Sequence, residues 1–348
     1  MRLTLAALAV LSLAGCTGAP TPATVTAPPA IAVSPDPVRQ VPDLILSPPG
    51  RGLGLKHAGE LTGAQMNAML GNPSEWPTLI QYAPTMQIAD EHIAAQGDAT
   101  LKTWFAEMKA AGLKFGVETT PFSVGVSTAA AAFARSQAYW RPIARNGGVL
   151  TEINLNDPLD IEMRNNPTMT RAAALTEVVS YISSVQALEP GAVVGFTGVY
   201  PKDLSTQHIA DIQALRAAAA AIGARGPDFY RVDFAWFGMD RGTTPGASFA
   251  DLKRVSDYCD SIGLPFMVIY TAGGFYDDAV AKSGAPASPA DDIYWTQGLD
   301  LEASSIAALG WKPKIDVQDW LGAPSEPLPD TAANSFTGSV RTMLSLIQ

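Results

Sequence analysis

Between residues 43 and 348, short apolar runs alternate with longer Ala- and Leu-rich runs of helical period, and this alternation constrains the fold more than any other feature. The predicted strands are Leu44–Leu46, Thr78–Tyr82, Lys114–Thr119, Val149–Leu155, Ala192–Thr197, Phe229–Phe234, Phe266–Tyr270 and Lys314–Val317. Helical patterns lie between them, among them Ala99–Ala111, Ala129–Arg145, Arg171–Ala187, Ser205–Ile222, Phe249–Ile262 and Ile293–Leu309, and Asn334–Ile347 closes the chain. Strict strand–helix alternation implies parallel strands joined by crossovers. Eight units over this length predict an α/β fold, a (β/α)8 TIM barrel in a single domain. An open dinucleotide-binding sheet would need G-x-G-x-x-G after the first strand. Here Gly50-Arg51-Gly52-Leu53-Gly54 has the wrong spacing and reads as a loop. No G-x-S-x-G, Walker A or H-E-x-x-H string occurs either, which removes those chemistries.

The barrel is expected to be preceded by an address. Residues 1–15 place Arg2 before an apolar run too short to span a bilayer, the pattern of a signal peptide. The run ends Leu13-Ala14-Gly15-Cys16, which resembles the lipobox of bacterial lipoproteins. That resemblance implies lipidation of Cys16, export, and a membrane contact made only through the lipid. With Thr17 rather than Asp following, it also implies an outer-membrane destination in a Gram-negative cell. Residues 16–42 are rich in Pro, Thr and Ala and predict a disordered, extended tether. The barrel domain is then 43–348.

Composition narrows the partners. Lys and Arg number 23 against 33 Asp and Glu, for a net charge of -10, and a duplex nucleic-acid binder needs a basic face instead. The three histidines, His57, His92 and His208, lie far apart and predict no metal site, and no cofactor is expected. Cys259 reads as a small buried apolar residue. Asp277-Asp278 reads as a solvated turn and Asp291-Asp292 as a helix start. Oligomeric state is not legible.

Strand parity then sorts the side chains, because neighbours on a strand face opposite sides of the barrel wall. In Thr151–Asn156, Ile153 and Leu155 share one face while Glu152, Asn154 and Asn156 share the other. Arg231 and Asp233 face inward opposite Val232 and Phe234; Glu118, Asp316 and Gln318 also face inward. A purely structural barrel is filled with Val, Ile and Leu, so these polar groups must pair or reach a wet pocket. Glu152 and Arg231, early on their strands, are expected to form an internal ion pair. Glu118, Asp157 and Asp233 lie at C-terminal strand ends, where barrel enzymes carry their active sites. Tyr82, Tyr200, Trp236, Tyr270 and Trp320 fall at the same ends, and flat rings with polar tips suit stacking on sugars.

Taken with Gly116-Val117-Glu118, Ile153-Asn154-Leu155-Asn156-Asp157-Pro158, Arg231-Val232-Asp233 and Val317-Gln318-Asp319-Trp320, the order of elements resembles secreted bacterial glycoside-hydrolase-like (β/α)8 barrel proteins. The resemblance implies hydrolysis of an extracytoplasmic polysaccharide or oligosaccharide by a carboxylate pair. Asp157 is the expected acid and Asp233 the base or nucleophile, with their order open and Glu118 as an alternative partner. Tyr82, Asn156, Trp236, Tyr270, Asp316, Gln318 and Trp320 are the expected substrate-binding residues. The chain departs from the large retaining clan of such barrels. Asp157 stands where that clan has Glu, and the seventh strand ends Ile269-Tyr270-Thr271-Ala272 without a carboxylate. The clan's nucleophile is therefore not carried over, and a non-catalytic glycan-binding lipoprotein on the same scaffold is the alternative.

Overall fold

A computed structural model describes residues 40–48, 63–82, 84–234, 244–271, 289–319 and 323–347. The expected signal peptide, Cys16, nearly all of the tether, the Gly50–Gly54 loop, Asp277-Asp278, Trp236 and Trp320 lie outside the described residues.

Eight parallel strands close into a barrel in sequence order. They are β1 Leu44–Ser47, β2 Thr85–Ala89, β3 Lys114–Thr119, β4 Leu150–Leu155, β5 Val193–Tyr200, β6 Phe229–Phe234, β7 Phe266–Tyr270 and β8 Lys314–Gln318. Pairing of Ile45 with both Thr85 and Asp316 closes the ring through β1. The fold is the expected (β/α)8 barrel. No described helix is long and apolar enough to cross a membrane.

One predicted strand is wrong. Thr78–Tyr82 is not a strand; Pro77–Ile80 forms a helical turn instead. Pro77 sits at the first helical position, where its missing N–H costs nothing, and the Asp330 carboxylate accepts from Thr78 N at 2.8 Å. The true second strand is less apolar in appearance because Thr85 and Gln87 alternate with Met86 and Ile88. The other helices start as local chemistry dictates. Thr128, Thr170 and Ser248 each accept a backbone N–H two or three residues into the helix they open, Ala129–Arg145, Arg171–Leu188 and Phe249–Ser261.

Two layers of packing surround the strands. Outward residues such as Val117, Ile153, Val232 and Val268 join the large core under the helices. Inside, Val41, Ile45, Val193, Phe229 and Met267 form a separate apolar plug at the N-terminal end of the barrel. Lys314 Nζ holds the entering chain there through Val41 O at 3.2 Å and Asp43 Oδ1. Above the plug the interior turns polar, and two glycines make the room. A Cβ at Gly116 would lie 2.0 Å from Glu152 Oε2, and one at Gly195 would lie 2.2 Å from Asn154 Oδ1 and 2.3 Å from the Phe229 ring.

Candidate active site at the barrel mouth

The polar interior is organised by one cation. Arg231 on β6 is fully buried, and its guanidinium spans the barrel. Nε donates to Thr197 Oγ1 at 2.9 Å, Nη1 to Gln87 Oε1 at 3.2 Å and to Asp316, and Nη2 to Glu118 Oε2 at 2.6 Å. Gln318 Nε2 donates to the same two carboxylates, at 3.1 Å to Glu118 Oε2 and 2.8 Å to Asp316 Oδ2. Ser47 Oγ completes the ring by donating to Gln87 Oε1 at 3.1 Å. A buried charge must be paired and hydrogen-bonded, and here two carboxylates share one guanidinium fork.

This corrects two expectations. The ion pairs of Arg231 run to Glu118 and Asp316 rather than to Glu152. Glu152 lies beside the Cβ-free Gly116 and takes hydrogen bonds from Gln87 Nε2 at 3.0 Å and from Asn154 Nδ2. Burial pushes its carboxyl up to about 8 against the opposing pull of Arg231 and Gln87. A protonated Glu152 needs no cation, which leaves Arg231 to the other two. Second, Glu118, Asp316 and Gln318 are 4%, 0% and 0% exposed and belong to this network rather than to the open mouth. The structure thus places Glu118, Asp316 and Gln318 in one buried hydrogen-bonded network around Arg231.

The rim above that network is different. Asp157 follows β4 and opens the helix Pro158–Asn165 in a left-handed conformation (φ 39°, ψ 50°), the one non-glycine with positive φ among the described residues. Its carboxylate does not cap the helix it begins. Such strain is found where surrounding structure over-determines a functional position. Asp157 is half-buried, and burial pushes its carboxyl up to about 7. Asp160 and Asp203 raise it further while Lys202 and Arg164 pull the other way. Lys202 is ion-paired to Asp160, and Arg171 lies 3.8 Å from Asp203 while gripping Asp211 with two nitrogens. Asn156, half-buried beside Asp157, is fixed by its backbone N–H to Thr119 O at 2.9 Å.

Asp233, two residues above Arg231, faces the same interior and is 9% exposed. A carboxyl that strand reasoning missed stands near it. Glu302 lies on the helix Pro289–Ala307, is fully buried, and neither of its oxygens makes a hydrogen bond of ordinary geometry. Burial holds it well above the usual carboxylate range, and Asp233 pushes in the same direction; the backbone of Thr271 opposes them. A signal existed in the sequence. Glu302 shares a helical face with Leu299, Ala303 and Ile306, all buried, and a charged residue in such a stripe is exceptional.

The aromatic rim is also corrected. Tyr200 and Tyr270 are 0% and 1% exposed and lie in the helix-facing core, because both share parity with outward neighbours such as Val268. Tyr200 accepts from Ser248 N at 2.7 Å instead of meeting a ligand. Tyr82 is 38% exposed but precedes β2, so it sits at the opposite end of the strands from the mouth. The misplaced second strand also hid Asp90, which follows β2. Asp90 faces the helix layer, accepts from Trp140 Nε1 at 3.3 Å, and is pushed up to about 8 by burial. No set of three His, Cys, Asp or Glu residues among those described is arranged to hold a metal ion. Two surface grooves, of about 520 and 280 Å³, lie at the N-terminal strand ends beside Phe266 and Trp311 and beside Phe105 and Phe115, away from the mouth.

No family model matches the chain, and no curated protein matches it. Solved structures similar to it include xylanase XynB from Paenibacillus barcinonensis, at 11% identity over 80% of this chain and 84% of that one, with a TM-score of 0.46. D-psicose 3-epimerase from Clostridium cellulolyticum H10 matches at 8% identity over 82% and 93%, with a TM-score of 0.43. A truncated 3-deoxy-D-arabino-heptulosonate 7-phosphate synthase from Thermotoga maritima matches at 11% over 87% and 85%, with a TM-score of 0.42. Their named activities differ from one another, and fold alone does not assign one.

Proposed function

We propose that the chain hydrolyses a glycosidic bond in an extracytoplasmic polysaccharide or oligosaccharide, with Asp157 and Asp233 as its carboxyl pair. The observation that carries this reading is Asp157, a half-buried carboxyl in a left-handed turn at the C-terminal end of β4, which burial pushes up to about 7. Glycoside hydrolysis needs a group of this kind to protonate the leaving oxygen, and a second carboxylate to act as base for water or as nucleophile. Asp233, two strands away at the end of β6, is the second carboxylate. Asn156, half-buried beside Asp157, bonds a sugar hydroxyl in this proposal. After transfer of the proton from Asp157 to the leaving group, water supplies its replacement, and the cycle closes without a cofactor. In this proposal the chain is exported and tethered by a lipid on Cys16, which would bring it to polymers outside the cytoplasm.

The test is a panel of polysaccharides and aryl glycosides incubated with wild type, Asp157→Asn and Asp233→Asn. Release of reducing sugar from a polysaccharide by wild type, lost in both variants, is the expected result, with Asp157→Asn sparing only aryl glycosides whose leaving group needs no acid. Absence of release, with one glycan bound equally by all three proteins, would reject hydrolysis in favour of a binding barrel.

A further inference from the structure

His208 is buried on the helix Ser205–Ala221 and takes no part in the proposed chemistry. Both of its ring nitrogens are engaged. Nε2 lies 3.1 Å from the Asp203 carbonyl oxygen, and Nδ1 lies 2.8 Å from the Tyr230 hydroxyl. A carbonyl only accepts, so Nε2 carries the proton, and Nδ1 then accepts from the Tyr230 O–H. The neighbouring strand leaves room for this pair. A Cβ at Gly198 on β5 would lie 2.5 Å from the Tyr230 oxygen and 2.8 Å from His208 Nδ1. A second proton, on Nδ1, would reverse that bond and take from the Tyr230 O–H its acceptor. Burial also disfavours the charged ring, against the opposing pull of Asp203, Asp211 and Asp160.

What His208 grips is the turn after β5. Asp203 N donates to Val199 O at 3.2 Å, and the carbonyl of the same residue is taken by His208, so the turn is pinned on both sides of Asp203. The Asp203 carboxylate lies 3.8 Å from Arg171, which is itself bound to Asp211 on the helix of His208. Lys202, one residue earlier, pairs with Asp160 in the first turn of the helix that Asp157 opens. A short path of bonds thus leads from the imidazole to the rim.

We infer that His208, neutral and protonated on Nε2, is a positioning residue of the mouth: it holds the turn 201–204 and, through Lys202 and Asp160, the start of the helix that carries Asp157. The inference rests on the proposed role of Asp157 as the acid, and it assigns the neighbouring turn a part in keeping that acid in place. His208 itself touches no substrate and gives up no proton.

The experiment is NMR on the full chain labelled with ¹⁵N, joined to the glycan panel. The chain has only His57, His92 and His208, so long-range ¹H–¹⁵N spectra at neutral pH separate the imidazoles, and His208→Gln identifies the signals of His208. The expected spectrum is that of a neutral ring protonated on Nε2. The amide shifts of Lys202 and of residues 159–165 are then compared in His208→Gln and His208→Leu. Glutamine offers an N–H to Asp203 and an oxygen to Tyr230, and leucine offers neither. The amides should stay near their wild-type positions with glutamine and move with leucine. Hydrolysis should fall about tenfold or more in His208→Leu, as for a displaced catalytic group, and stay within about threefold of wild type in His208→Gln. If leucine disturbs folding, His208→Asn takes its place, because the shorter amide does not span both partners. A ring protonated on Nδ1, or a charged ring at neutral pH, would overturn the inference. Equal loss of hydrolysis in both variants, or residues 159–165 unmoved by leucine, would overturn it too. Amides that respond as expected without hydrolysis of any glycan would reject the glycosidase reading and leave His208 as the holder of the turn. Hydrolysis with unresponsive amides would do the reverse.

Discussion

Inside the barrel, Glu118 and Asp316 share the guanidinium of Arg231 and the amide of Gln318. At the rim, burial and the aspartates around Asp157 outweigh Lys202 and Arg164, and the carboxyl keeps its proton to about pH 7. The residue types are the same and the surroundings opposite. In the interior a cation and several donors crowd around the carboxyls and tie four strands together. At the rim the charged form is penalised, which stores a proton where a ligand can reach it. Position on a strand therefore says less about the role of a carboxyl than the charge and hydrogen-bond donors beside it.

Arg231→Met should break the interior half most severely. It would leave two buried carboxylates without their cation, at a cost of about 3–5 kcal/mol in urea denaturation. A loss below about 1 kcal/mol would mean that water or other donors satisfy Glu118 and Asp316, and the contrast would fail.

Glu152 sharpens the comparison, because it is an interior carboxyl treated like a rim one. Its folded pKa of about 8 lies above the 4.5 of an ordinary glutamate. The native state therefore binds the extra proton between those values. The stability it contributes is complete below about pH 4.5 and is lost as pH rises towards 8. Denaturation midpoints should fall across that window, and Glu152→Gln should flatten the fall. An equal slope in the variant would assign the proton elsewhere.

At the rim, Asp157→Asn should lower hydrolysis about a hundredfold or more, the usual worth of a general acid. Its unfolding free energy should move by less than about 1 kcal/mol, since the side chain does not cap its helix. A large loss of stability with activity preserved would make Asp157 a structural residue. Smallest of all, Thr197→Val removes one acceptor from Arg231 and should cost about 1 kcal/mol, with the other guanidinium bonds kept.

Much of this architecture was legible before any coordinates. The alternation of Ile153 and Leu155 with Glu152 and Asn154, and of Val232 with Arg231 and Asp233, assigned the two faces of β4 and β6 correctly. Parity reports a side, however, and not a reach. It placed Arg231 inside but could not say that its long fork reaches Glu118 on β3 and Asp316 on β8 rather than Glu152 on β4. The space that turns Glu152 towards Gln87 comes from Gly116 on the next strand, a contact no local pattern carries. The second strand was missed because Thr85 and Gln87 dilute its apolar character, while Pro77 starts a helical turn in a more apolar run. Tyr270 was assigned to the mouth from its place at a strand end, although the parity of Phe266 and Val268 already sent it outward. Glu302 escaped because carboxyls were sought at strand ends, whereas this one lies on the helix Pro289–Ala307.

The central claim is that the rim stores a proton on Asp157, and the pH–rate profile of hydrolysis tests it most directly. With an unactivated glycoside, wild-type activity should fall as pH rises through about 7, where Asp157 gives up its proton. With an aryl glycoside whose leaving group needs no acid, Asp157→Asn should keep much of its activity and lose that alkaline fall. The same alkaline fall persisting in Asp157→Asn would contradict the account, because the proton would then belong to another group.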